Sequence, residues 1–140
     1  MNAILGQREF RLHHVGIVVP SLQQGRDWYA SLGFVTDTTV YVDPIQRVSV
    51  QFIRPGADVL IELVEPLQKD SPVSRFLEKR GPGLHHLCYE VDNIARACGH
   101  AREKGGIVTC EPVPAVAFQG RRIAFVYWNR SLIEFLEEEK

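Results

Sequence analysis

The sequence predicts an α+β fold built from two tandem βαβββ modules, and three observations carry that expectation. The chain repeats itself: a shift of 72 positions lays His13-His14 on His85-His86, Val19 on Val91, Gly33 on Gly105, Leu60-Ile61-Glu62 on Leu132-Ile133-Glu134, and Glu65 on Glu137. Within each half the second histidine precedes the matched glutamate by 48 residues, which a duplicated module explains more simply than coincidence does. Both halves also pass from a β-type run into helical spacing and then into further β-rich runs.

Each module opens with a short β run, 14–19 and 86–91, broken by Pro20-Ser21 in one and Asp92-Asn93 in the other. Ser21 and either Asp92 or Asn93 carry the side-chain acceptor of a helix N-cap. Leu22, Trp28, Tyr29 and Leu32 give the first helix its spacing, and Ile94, Ala97, Ala101 and Lys104 the second. Gly33 and Gly105-Gly106 stop them. The β-rich runs 35–42, 48–53 and 59–64 complete the first module, and 107–110, 122–127 and 132–136 the second. Between the modules, Asp70-Ser71-Pro72 starts a connector helix that Gly81-Pro82-Gly83 ends. The tract Glu111-Pro112-Val113-Pro114 reads as an extended loop, because two prolines two apart would strip a central strand of ladder donors. One domain over 1–140 is expected, with module one at about 11–66, the connector at about 70–81 and module two at about 84–138.

Composition narrows the function classes. With 45% hydrophobic and 24% charged residues the chain is an ordinary globular sequence, and its net charge of −1 offers no basic excess for a phosphate backbone, so nucleic acid is not an expected partner. Residues 1–10 lack the apolar run of a signal peptide and no stretch is long and apolar enough for a membrane span, so a cytoplasmic protein is expected. Cys88, Cys98 and Cys110 are odd in number and lack C-x-x-C spacing. They read as reduced, packed thiols.

The chemistry concentrates in the repeated histidines and glutamates. Residues two apart in a strand share a face, so His14 lies with Gly16 and Val18, while Val15 and Ile17 face the other way, toward the helices. Glu62 and Glu134 each interrupt an otherwise apolar run, and a carboxylate so placed must find a counter-charge or neutralise. Imidazoles and carboxylates converging on a divalent cation meet that need together. Strand parity alone does not choose between neighbours, so His13 and His85 stand as rival ligands.

The blocks HHVGIVV, VLIELVEP, DSPVSRFLEKRGPGLHHLCYEV and RRIAFVYWNRSLIEFLEE cover nearly the whole chain and resemble the vicinal-oxygen-chelate superfamily, also described as the glyoxalase, bleomycin-resistance and extradiol-dioxygenase fold. The resemblance implies a curved mixed sheet around a metal site. It selects the second histidine of each pair and the glutamate of each "IE" strand, making His14, Glu62, His86 and Glu134 the ligands of one divalent ion per chain. Nitrogen and oxygen donors without thiolate suit Ni, Co, Zn or Mn. It further implies a homodimer acting on a small molecule, a hemithioacetal or an acyl thioester, by proton transfer alpha to a carbonyl through a metal-bound enediolate. Glu134 or Glu62 would serve as the catalytic base.

On this reading a glyoxalase I-like lyase, of the lactoylglutathione lyase type, comes first and a methylmalonyl-CoA or other acyl-CoA epimerase second. The junction block favours the epimerases. Against the lyase, the positions at which glutathione-using relatives carry an arginine and an asparagine are Val18 and Pro66. Against the epimerase, the position of a catalytic glutamate is Ile45, with Asp43 the nearest substitute, so negligible epimerisation of methylmalonyl-CoA is expected. An Fe(II) dioxygenase is disfavoured by the ligand-type Glu62, and a drug-binding resistance protein by the retention of a full ligand set. Arg47, Lys79-Arg80 and Arg121-Arg122 are candidate contacts for an anionic substrate tail, more readily read as surface charges, and Phe118, Tyr127 and Trp128 are candidate pocket residues.

Overall fold

Within each half, the hydrogen-bonded partners of the opening strand come from the end of the module rather than from its nearest neighbours. A computed structural model describes residues 10–56 and 59–139, so the reading of the first ten residues falls, apart from Phe10, outside them. The elements are β1 (Arg11–Val18), α1 (Leu22–Ala30), β2 (Val35–Thr36), β3 (Tyr41–Asp43), β4 (Val48–Arg54), β5 (Ile61–Pro66), α2 (Pro72–Arg80), β6 (Gly83–Val91), α3 (Ile94–Glu103), β7 (Ile107–Pro114), a 3-10 turn (Val116–Phe118), β8 (Arg122–Trp128) and β9 (Ser131–Glu137). This is the expected α+β class, with three helices among the described residues and strands of mixed direction. Among the described residues no helix is long and apolar enough to cross a membrane.

The described residues divide into two compact units, one within 14–85 and one of 86–139 together with residues 10–13. In the first, the strand order is β2-β4-β5-β1, with β3 also on β4; β1 runs parallel to β5, and β4 antiparallel to it. In the second, the order is β6-β9-β8-β7, with β6 parallel to β9. The register repeats as the sequence does: Val15 opposes Ile61 and Leu87 opposes Ile133, Gly16 opposes Glu62 and Cys88 opposes Glu134. One face of each set packs on its helix. Val19, Leu22, Ile53, Ile61 and Leu63 form that core in the first unit, with Ile17 against it, and Val91, Ile94, Ala97, Cys98, Ala101, Ala124, Val126 and Phe135 form it in the second.

Local chemistry explains the helix starts. The Ser21 hydroxyl accepts from the Gln24 amide at 3.1 Å and the Asn93 side chain from Arg96 at 3.0 Å, which decides for Asn93 over Asp92. Gly33 and Gly105 both take φ of 93°, a left-handed value that their lack of a Cβ permits after each helix. The connector helix runs from Pro72 and stops at Gly81, as its proline and glycine dictate.

Three expectations are corrected. The single run 35–42 is two short strands, because Thr38 intervenes: its hydroxyl accepts from the Phe52 amide, and its backbone carbonyl accepts from the Gln51 side-chain amide. The tract Glu111–Pro114 is part of β7 rather than a loop. Among the described residues β7 is an edge strand, paired only with β8, and its register shifts between Cys110 and Val113, where Pro112 has no N–H to offer. The buried face of α1 is Leu22, Gly25 and, in part, Tyr29, while Trp28 and Leu32 are exposed. A Cβ on Gly25 would sit 3.0 Å from Val19 Cγ1 and 3.2 Å from Leu63 Cδ1, so a side chain there would need those two neighbours to give way by a few tenths of an ångström.

Candidate metal centre

His14 sits mid-strand on the face of β1 turned away from α1, and it is 1% exposed. Glu62 opposes Gly16 on β5, hence on the same face, and Phe52 of β4 opposes Glu62 from the other side. The consequence is a buried pair: His14 Nε2 lies 3.4 Å from Glu62 Oε1, with the Phe52 ring edge-on to the imidazole at 5.6 Å. The second unit builds the same arrangement. His86 Nε2 lies 3.1 Å from Glu134 Oε1, and the Phe125 ring stands at 88° to the imidazole, 5.4 Å away. All four side chains are buried, each offering one ligand atom.

The donor chemistry fits a divalent ion. Each half supplies an imidazole nitrogen and a carboxylate oxygen on one face of paired strands, shielded from water, which is costly for a carboxylate unless positive charge accompanies it. Hard or borderline cations are the partners of such a set. The His13 ring stands edge-on to Phe118 at 5.4 Å and the His85 ring edge-on to Phe76 at 5.0 Å.

Phe52 and Phe125 escaped the sequence reading for a countable reason. Their glutamate partners are 72 apart but the phenylalanines are 73 apart, because the β8–β9 turn is shorter. That turn is a two-residue hairpin with Asn129 and Arg130 at φ of 54° and 62°, left-handed values typical of a type I′ turn.

The other candidates have structural employment. Arg121 binds Glu90 and the Glu137 carbonyl, and Arg122 grips both oxygens of Glu137 at 3.0 and 3.1 Å. The Glu137 carboxylate, through its hydrogen bond and then its charge, raises the Arg122 pKa. Arg47 faces Asp70 at 3.3 Å, Arg80 lies over the Phe76 ring, and Lys79 is exposed. Tyr127 is exposed, Trp128 packs against the α3 core beside His100, and Phe118 is buried against His13. Val18 is fully buried opposite Val64, which leaves no polar group there. Ile45 is 55% exposed, and Asp43 spends one oxygen on the Ile45 and Gln46 amides at 3.0 and 3.1 Å.

Comparison with known proteins agrees with this architecture. The model of the Glyoxalase/Bleomycin resistance protein/Dioxygenase superfamily matches residues 13–125. The chain is 36% identical over 133 residues to the uncharacterized protein YqjC of Bacillus subtilis, covering 91% of each. It is 35% identical to an ethylmalonyl-CoA/methylmalonyl-CoA epimerase of Cereibacter sphaeroides, over 89% of this chain and 95% of that one. Similarity to a lactoylglutathione lyase of Escherichia coli is weaker, 29% over 74% of this chain and 75% of the other. Among solved structures, the methylmalonyl-CoA epimerase of Mycobacterium tuberculosis superposes with a TM-score of 0.79 at 30% identity, covering 92% of this chain and 88% of that one.

Proposed function

Because the chain belongs to the Glyoxalase/Bleomycin resistance protein/Dioxygenase superfamily, we propose that it is a divalent-metal-dependent isomerase that moves the proton alpha to the carbonyl of an acyl-CoA thioester. One observation carries this reading: the buried His–Glu pair recurs in identical register in a chain similar over almost its whole length to an acyl-CoA epimerase. The comparisons thus favour the epimerase over the glyoxalase I-like lyase that the sequence put first. Burial of the apolar Val18 agrees, since it removes a polar contact expected for glutathione.

In this proposal His14, Glu62, His86 and Glu134 hold one ion, Ni, Co, Zn or Mn. An ion held by these residues would supply Lewis-acid chemistry, polarising the thioester carbonyl and offsetting negative charge on its oxygen. Glu134 takes the α-proton and, after exchange of that proton with solvent, returns one to the same carbon. Inversion at carbon needs an acid-base group on each side of the planar enolate, and Ile45 supplies none. Asp43, tied to the loop backbone, is not free to replace it. The chain therefore exchanges the α-proton faster than it inverts the centre.

The test is incubation of the Co(II)-loaded protein with methylmalonyl-CoA and ethylmalonyl-CoA in deuterated water, beside the hemithioacetal of methylglyoxal and glutathione. Deuterium should enter the acyl-CoA, ahead of inversion, and Ile45→Glu should raise inversion relative to exchange. Glu134→Gln should lower exchange by about 100-fold or more, with metal retained. Turnover of the hemithioacetal without exchange on either thioester would return the lyase to first place.

A further inference from the structure

Two carboxylates outside the proposed ligand set are placed alike in the two halves. The Leu22 amide donates to Glu65 Oε1 at 2.7 Å, and the Ile94 amide donates to Glu137 Oε2 at 3.4 Å. Donors and acceptors are each 72 residues apart, the period of the repeat. Leu22 and Ile94 open α1 and α3, so each carboxylate takes an amide that the helix itself leaves unbonded, at the positive end of the helix dipole.

The position of these carboxylates in their strands gives the bond a second consequence. Glu65 and Glu137 lie three residues beyond Glu62 and Glu134, on the opposite face of the same strand. β1 carries His14 and leads straight into α1, while β5 carries Glu62; a one-residue slip between them would turn the glutamate to the wrong face. The backbone bonds at this end of the first pair include Val19 N–H to the Val64 carbonyl at 2.9 Å, and of the second Glu138 N–H to the Val91 carbonyl at 2.8 Å. The carboxylate bond adds a tie just beyond, from the exit of the histidine strand to the end of the glutamate strand.

We propose that Glu65 and Glu137 are positioning residues, a duplicated clamp that holds each histidine strand and glutamate strand in the register at which His14 with Glu62, and His86 with Glu134, act as ligands. The clamp rests on the metal reading above. Its two copies differ in support: Arg122 grips Glu137 with two bonds, whereas Glu65 makes the shorter bond to its helix, so Glu65 is the cleaner copy to remove.

The experiment titrates wild type, Glu65→Ala, Glu65→Asp and Glu65→Gln with Co(II) alone, following heat and the visible Co(II) spectrum, and measures thermal unfolding of each metal-free protein. Glu65→Ala should weaken Co(II) binding by about 10- to 100-fold, the range for groups that orient metal ligands, and alter the spectrum. Glu65→Gln keeps an acceptor at the same reach and should bind nearly as wild type does. Glu65→Asp keeps the charge but shortens the reach, so it should fold and still lose affinity, which covers a failure of the alanine variant to fold. Wild-type affinity and spectrum in Glu65→Ala or Glu65→Asp, with only the melting temperature lowered, would reduce Glu65 to a helix cap and overturn the clamp. A wild-type chain that took up no Co(II) would instead overturn the metal reading, and the clamp as a ligand-positioning device with it.

Discussion

His14 and His86 each face a glutamate oxygen in a buried setting, while His13 and His85, one residue earlier, turn their rings to phenylalanines. Adjacent strand residues point to opposite faces, so substitution should separate them cleanly. His14→Ala and His86→Ala should each weaken metal binding by more than about 100-fold, since even groups that only orient ligands are worth 10- to 100-fold. His13→Ala and His85→Ala should leave affinity near wild type, as read by calorimetric titration, and the reverse pattern would remove the ligand assignment. The cysteines offer a second contrast. Burial and then the nearby Glu111 raise the Cys98 thiol pKa, and Cys88 is wholly enclosed, whereas Cys110 lies partly open on an edge strand. Iodoacetamide at pH 8, followed by peptide mass spectrometry, should label Cys110 well before the other two, because the thiolate is the nucleophile. The raised thiol pKa also favours the folded state only while protonated, so Cys98's contribution to stability is present below its ordinary value of 9.0 and is lost as pH rises through the folded one.

At the scale of elements, the two helices that cover the sheet use glycine for opposite reasons. Gly25 of α1 is a close-approach position against Val19 and Leu63, whereas a Cβ on Gly99 of α3 would meet nothing within 4 Å. Gly25→Ala should therefore destabilise the protein by about 1–3 kcal/mol through overpacking. Gly99→Ala should stabilise it by about 0.5–1 kcal/mol, since alanine loses less backbone freedom on entering a helix. Urea unfolding of both variants checks the signs, and equal effects would mean that α1 shifts to absorb the methyl. The edge position of β7 follows the same logic of local tolerance, for a strand with one partner has room for Pro112 at a register shift.

For the whole molecule, the proposed reading sets a stoichiometry, one ion per chain for the buried His14–Glu62 and His86–Glu134 pairs. Metal should bind at one ion per chain, by elemental analysis after reconstitution; two per chain would mean that each pair holds its own. Because the folded chain alone presents the buried pairs, metal at about 100 times its dissociation constant should add about 2.7 kcal/mol of stability. That corresponds to a rise in Tm of roughly 5–10 °C for a chain of this size, reversed by EDTA. An unchanged Tm at saturating metal would contradict a buried site.

The repeat itself was legible in the sequence, because duplication preserves spacing: the 72-residue period lays His13-His14 on His85-His86 and Glu62 on Glu134, and both halves of the structure reproduce it in strand register. So were the helix cap at Ser21, the second cap as one of Asp92 and Asn93, and the ends at Gly33 and Gly105, which depend on neighbours within a few residues. Tertiary structure decided what depends on residues far apart in the chain. His14 and His86, which resemblance had chosen over His13 and His85, each lie beside the glutamate 48 residues further on, a proximity that strand pairing alone creates. Phe52 and Phe125 came into view only through strand pairing, since a shorter hairpin turn had moved them out of the repeat. Glu65 and Glu137 stood in the repeat from the start as matched letters, but their partners, the first amides of α1 and α3, exist as hydrogen-bond donors only once strand and helix have been brought together.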